Sequence, residues 1–329
     1  MFDDSCIRVP LPSSGIVYGS KHPCNLKTQV YIKPMTPAEE NIIFNRTFHK
    51  DGTLTARLIK SCVLIPELTI EQAEELVSGD KQAILLSLRI SGYGSLIEGE
   101  LKCPVCEVEQ EYHIYLSQAR INEFNPSSEY IRLDSETDQF LLDFKENISN
   151  LTSPLRFKYP TKLELNKTES EEDAPISEFL SKHLIGVGLS KINNFPASFA
   201  RKIKKLIELN RPWVYIDFNF SCRSCSYIEN KSISCDETLF PLKPEDREAI
   251  FLEPWFILNY YSGMDWETYL RYPVELKRWH IKRIEKEIKK ASDNKEDITS
   301  KAPHENTPQY REMAGKTKPF TPNAKMQRF

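Results

Sequence analysis

No run of apolar residues in this 329-residue chain approaches the ~20 that a membrane-spanning helix needs, so no such span is expected. Nor is there an excess of one charge: 44 Lys and Arg stand against 47 Asp and Glu, a formal net charge of -3. That is too near neutral for a whole-chain field that would draw it to nucleic acid or to a membrane surface, and any such attraction must be local. The opening MFDDSCIRVPLPSSG lacks the basic start and apolar run of a secretory signal, so the protein is expected to stay in the cytosol where it is made. Histidine is scarce. His22, His49, His113, His183, His280 and His304 include no pair at helical metal-ligand spacing and have no obvious nucleophile as partner. The pair Gly186 and Gly188 lacks the third glycine of a dinucleotide fingerprint. No catalytic arrangement is found, and a non-enzymatic protein is expected.

What the chain does contain is 40% hydrophobic residues, enough for a buried core. The pattern predicts an α+β fold of mixed helices and antiparallel strands. Gln29 to Lys33 alternates as a strand does. Thr36-Pro37-Ala38-Glu39-Glu40 then supplies an N-cap, a proline at the first helical position and acids near the positive end of the helix dipole. Further helices are predicted at Leu54 to Cys62, Ile70 to Leu76 and Asp80 to Ile90, the last stopped by Gly92 and Gly94. Strands follow at Ile131 to Leu133, Phe140 to Phe144 and Leu155 to Tyr159, then helices at Ile176 to Leu184 and Pro196 to Leu209. Between them Asn166 to Ala174, NKTESEEDA, reads as a solvated acidic loop.

Four of the eight cysteines form two Cys-x-x-Cys knuckles, Cys103 with Cys106 and Cys222 with Cys225, each between two alternating strands. In a reducing compartment such pairs are read as metal sites or packing before disulfides. Two such turns face to face bring four thiolates into the tetrahedral set that one structural Zn²⁺ favours, and four thiolates leave no open position for catalysis. A redox pair would sit at a helix N-terminus that lowers its thiol pKa, and neither pair does. The alternative is that the pairs are small semi-buried residues at hairpin turns. More than a hundred residues separate the knuckles, against ~15–20 in a common ribbon. The site is therefore split, with hairpins within 95–116 and 212–234 of an α+β body spanning 1–243.

From 244 to 290 aromatic residues concentrate in an amphipathic helical module, in which Lys277, Arg278, Lys282, Arg283 and Lys286 fall largely outside the apolar stripe. Rings this dense exceed what so small a module can bury, so Trp255, Tyr260, Trp266, Tyr269 and Trp279 are candidate partner-binding residues as well as candidate core. Residues 291–329, poor in aliphatic side chains, are predicted to be a disordered tail, with Phe320 and Phe329 as candidate anchors on a partner.

The segments LPSSGIVY, VYIKPMTPAEENII, GDKQAILLSLRISGYG, KCPVC and FNFSCRSC occur here in that order. Together they resemble the baseplate hub subunits of T-even-type phages. The closing EPWFILNYYSGMDWETYLRYPVELKRWHIKRIEKE and HENTPQYREMAGKTKPFTPNAKMQRF are similar to an element associated with the baseplate hub assembly catalyst. The resemblance implies a chaperone-like, non-enzymatic assembly factor that binds other phage baseplate hub proteins in the host cytoplasm. A permanent structural subunit of the virion baseplate is the near alternative. A zinc-ribbon nucleic-acid binder, suggested by the knuckles and by Arg201, Lys202, Lys204 and Lys205, is the distant one. The chain departs from the common knuckle pattern in one respect: Glu107 and Ser226 stand where glycine often follows the second cysteine.

Overall fold

The fold described here is a computed structural model. It describes residues 6–124, 131–134, 139–142, 155–159, 175–242, 253–255, 257–258 and 264–300. The acidic loop 166–174 and the tail beyond 300 lie outside them. The chain divides into two compact units, Met1–Lys277 and Arg278–Phe329.

In the first unit, strands β1 (Ile7–Pro10) and β2 (Gln29–Ile32) pair antiparallel, with Ile7 opposite Ile32. Helix α1 (Pro37–Ile43) starts where its cap predicts: the backbone N–H of Thr36 donates to the Glu39 carboxylate at 2.9 Å. Short helix α2 (Arg46–Lys50), absent from the sequence reading, is capped by Asn45, whose side chain accepts the Thr47 N–H at 3.0 Å. Helices α3 (Leu54–Cys62) and α4 (Ile70–Glu75) follow.

Helix α5 (Ser78–Tyr93) is the centre of the unit. Ala83, Ile84, Leu85, Leu86 and Leu88 bury most of its circumference, as a core helix requires. It begins two residues earlier than predicted, and Gly79 in its first turn lies against the chain that enters strand β9 (Trp213–Ser221): a Cβ there would sit 2.1 Å from the Pro212 carbonyl oxygen. Asp80, fully buried one residue on, accepts hydrogen bonds from Ser13 N–H at 2.9 Å, Ser13 Oγ at 2.5 Å and Tyr18 OH at 2.6 Å. The turn-rich lead is thereby fixed to the core helix, and the buried carboxylate is satisfied.

After α5 come the hairpin β3 (Leu96–Lys102) and β4 (Glu109–Tyr115), then β5 (Arg120–Asn122). Strands β6 (Ile131–Asp134), β7 (Gln139–Leu142) and β8 (Leu155–Phe157) form an antiparallel sheet in that order. There Phe124, Phe140, Phe157 and Tyr159 make an aromatic cluster with centroids 4.9–5.8 Å apart. Helices α6 (Ile176–His183), α7 (Leu189–Ile192) and α8 (Ala197–Leu209) lead into β9, where α8 buries Phe199, Ala200, Ile203 and Ile207. Strand β9 pairs with β5 on one side and with β10 (Ile228–Ile233) on the other. One hydrophobic cluster runs through most of these elements, from Val9 to Val274. The α+β expectation holds.

Residues 253–255 and 257–258 are helical; α9 (Trp266–Leu270) is capped by Asp265, which accepts the Thr268 N–H at 2.7 Å. The last helix, α10, runs from Val274 to Ser300. It passes the expected boundary at 290 because neither glycine nor proline interrupts it before Pro303.

One expectation needs correction. Lys277, read as lying outside the apolar stripe, is buried: its ammonium lies 2.5 Å from Glu40 and 2.7 Å from Glu253. Tyr93 OH donates to the other Glu40 oxygen at 2.6 Å, and Val274 N–H donates to the Met35 carbonyl at 2.8 Å. These bonds hold the first turn of α10 to α1.

Candidate metal centre

The two knuckles are copies of one turn. Cys103 N–H donates to the Val108 carbonyl at 3.0 Å and Glu107 N–H to the Cys103 carbonyl at 3.0 Å. In the second, Cys222 N–H donates to Tyr227 at 2.8 Å and Ser226 N–H to Cys222 at 3.0 Å. Both turns need a left-handed residue after the second cysteine, and Glu107 and Ser226 supply it, each at φ 59°. The missing glycines therefore did not alter the turn; they left it with two strained residues.

The turns face each other. Cys103 Sγ lies 3.6 Å from Cys225 Sγ, Cys106 Sγ lies 3.5 Å from Cys222 Sγ, and all four sulfurs fall within 4.8 Å of one another. A regular tetrahedron with metal–sulfur bonds of about 2.3 Å has edges of about 3.8 Å, so the cluster has the dimensions of a four-thiolate metal site. Backbone N–H groups of Cys225 and Ser224, with the Cys106 and Cys225 thiols, hold the Cys222 thiol down at about 6, burial opposing them. Cys225 receives the Tyr227 N–H, which lowers it, yet burial and the sulfurs of Cys106, Cys222 and Cys103 push it up to about 12. Four thiolates at this spacing repel one another, and a bound dication is what would allow all four to ionise.

The hairpins that carry the cysteines are joined by side chains rather than by a ladder. Gln110 donates from its amide nitrogen to the Ser221 carbonyl at 2.8 Å and accepts the Arg223 N–H at 3.0 Å. Tyr112 OH donates to the Asn219 carbonyl, and its ring packs on Phe218 and Phe220 with centroids 5.2 and 5.7 Å away. Cys103, Phe220 and Cys222 form a small core of their own, edged by Leu101, Cys106, Tyr112, Phe218 and Tyr227. Because β9 also pairs with β5 and packs on α5, the second knuckle is part of the body, and the first is brought to it. Among the described residues, these four cysteines are the only group of three or more metal-ligating side chains close enough to share an ion.

The aromatic candidates divide. Trp255, Trp266 and Trp279 are 65, 43 and 58% exposed. Tyr269 is 3% exposed and stacks beneath Trp266 with centroids 5.7 Å apart, so it supports that ring rather than presenting its own. Tyr260, Phe320 and Phe329 lie outside the described residues. Sequence reasoning missed Gln110 and Lys277. The signal for Lys277 was its spacing: it sits three residues after Val274 and seven before Ile284, on the apolar stripe itself.

Compared with known proteins, the chain matches a family model described as T4 bacteriophage base plate protein over residues 17–241. The matched stretch contains both knuckles and ends before the aromatic block. No curated protein and no solved structure gives a match.

Proposed function

Because the chain belongs to the T4 bacteriophage base plate protein family, we propose that it is a non-enzymatic assembly factor for the baseplate hub, built around one structural zinc ion. The observation that carries this reading is the closed set of Cys103, Cys106, Cys222 and Cys225 inside the family-matched region. Four sulfur ligands suit zinc and leave no position for a substrate or a water, so the ion would hold two hairpins in place and do no chemistry. Held in this way, the body offers other baseplate proteins a fixed surface, and the exposed rings of Trp255, Trp266 and Trp279 are of the type that anchors such contacts. Assembly takes place in the host cytoplasm, and the partners are other hub proteins.

Three measurements test the reading. Metal analysis of the purified full chain should give one zinc per chain, and Cys222→Ser should lose it; a zinc-free protein with parental stability would reject the metal. Tagged chain recovered from infected cells should bring baseplate proteins with it, and Trp266→Ala should recover fewer without loss of fold. Mass spectrometry of mature virions separates the roles: absence, or trace amounts, agrees with an assembly factor, whereas subunit stoichiometry assigns a permanent structural part.

A further inference from the structure

The outer face of the β3–β4 hairpin carries Glu98, Glu100, Glu109 and Glu111, all exposed, with Glu100 directly opposite Glu111. Like charges facing across an antiparallel pair destabilise it. Lys102, directly opposite Glu109, is the one Lys or Arg on the hairpin and is engaged with Glu107 at 3.2 Å, and His113 stands opposite Glu98 on the same face. Elsewhere on the same unit, helix α8 turns Phe199, Ala200, Ile203 and Ile207 inward and leaves the stripe Arg201, Lys205 and Leu209 exposed. Among the described residues, no ion pair is formed by Glu98, Glu100, Glu109, Glu111, Arg201 or Lys205.

The two faces match in order and spacing. On the helix the sequence of groups is cation, cation, leucine, each one turn-and-a-bit apart, about 6 Å along the axis. On β3 it is Glu100, Glu98, Leu96, about 6.7 Å apart, with Tyr115, 49% exposed, beside Leu96. The apolar end is the same in both, since Leu209 is 61% exposed. We infer that the α8 stripe is a docking surface for a second copy of this chain, whose β3–β4 outer face lies along it. Arg201 and Lys205 then meet Glu100 and Glu98, and Leu209 meets Leu96 and Tyr115. The two surfaces are different patches of one molecule, so the contact is head-to-tail: each copy can use its helix on one neighbour and its hairpin on another, giving a ring or an open chain of copies. The inference does not depend on which baseplate role the protein has.

Sedimentation velocity on the full chain tests it. Association should rise with concentration at 50 mM NaCl, and its dissociation constant should increase by about tenfold or more at 300 mM, as screening of exposed charges demands. Arg201→Gln/Lys205→Gln and Glu98→Gln/Glu100→Gln should each be monomeric, with parental circular dichroism and metal content. An equimolar mixture of the two should stop at a 1:1 dimer, because each variant keeps the face the other lacks. A parent monomeric at low salt, variants that associate like the parent, or a mixture that stays monomeric would each overturn the proposal. So would retention of a single-stranded oligonucleotide that Arg201→Gln/Lys205→Gln abolishes while the parent remains monomeric, which would assign the basic stripe to nucleic acid. Leu209→Ser, which leaves every charge in place, should weaken association as well.

Discussion

Gln110 accepts the backbone N–H of Arg223 at 3.0 Å across 113 residues of sequence, while its amide nitrogen donates to Ser221 two positions earlier. One side chain thus holds the strand end and the knuckle of the other hairpin on both sides of Cys222. Groups that orient metal ligands in this way commonly contribute about 10–100-fold in affinity. Gln110→Ala should lower zinc affinity by a factor in that range, read by competition with a chelator, with the fold retained. Gln110→Glu keeps the acceptor for Arg223 but turns the donor toward Ser221 into a second carboxylate oxygen, so it should be no better than alanine. Unchanged affinity in both would show that the cysteines need no such support.

The left-handed residues give a second expectation. Glu107 and Ser226 both hold φ 59°, which costs a residue with a Cβ about 1 kcal/mol. Replacing Ser226 by Gly should leave stability unchanged or raise it by up to ~1 kcal/mol, the loss of unfolded-state entropy offsetting part of the relief. Ser226→Val should lower it by more than ~1 kcal/mol, because a β-branched side chain tolerates this region least. Urea midpoints of the metal-bound protein measure both; a stabilising valine would contradict the geometry.

Lys277 and Glu40 form an ion pair with side chains 3 and 7% exposed. Breaking such a pair on one side strands the other charge, at a cost of about 3–5 kcal/mol. Lys277→Ala should therefore destabilise the protein by that order, whereas Glu40→Gln combined with Lys277→Met should cost much less than the single change. A double-mutant cycle on thermal unfolding gives the comparison, and additive effects would mean that the two groups do not act together.

Acid sensitivity should centre on Glu39. Burial pushes its carboxyl up, but hydrogen bonds from Lys33, Ser61 and Thr36 together hold it below the ordinary carboxylate range. A folded-state value below the unfolded one means stability that is present above pH ~4.3 and is lost as pH falls through the folded value. Asp80 runs the other way: burial outweighs its bonds from Ser13 and Tyr18 and raises it, so its contribution declines as pH rises through the folded value. Urea midpoints between pH 3 and 7 should show a shallower acid limb for Glu39→Gln than for the parent; an equal or steeper limb would reject the assignment.

Much of this arrangement was visible in the chain itself, and the reasons differ by element. The Thr36 cap, the apolar girth of α5 and the strands around each knuckle are local patterns, set by residues within a few positions of one another. The metal set was legible because Cys-x-x-Cys spacing is also local, although which pairs meet is not. Gln110 could not be read, since its partners are backbone atoms of Ser221 and Arg223 and nothing in its neighbourhood marks it. Lys277 was misread because charge outweighed position: it lies on the apolar stripe of its helix, and its partners Glu40 and Glu253 belong to distant segments. Short α2, α7 and β5 have too few residues to show a period.

The split of the site also sets an order of events during synthesis. Cys106 and Cys222 are 116 residues apart, which at about 5–20 residues per second is an interval of roughly 6–23 s on the ribosome. Through that interval the nascent chain has only Cys103 and Cys106 of the four-cysteine set, and the first hairpin has no β9 to receive Tyr112 or Gln110. Lasting metal uptake would have to wait until Cys225 has left the exit tunnel. A bound ion would thereby act as a checkpoint: a fragment that terminates anywhere in the long insertion keeps an open pair of cysteines, and only a chain translated past the second knuckle could close around a metal.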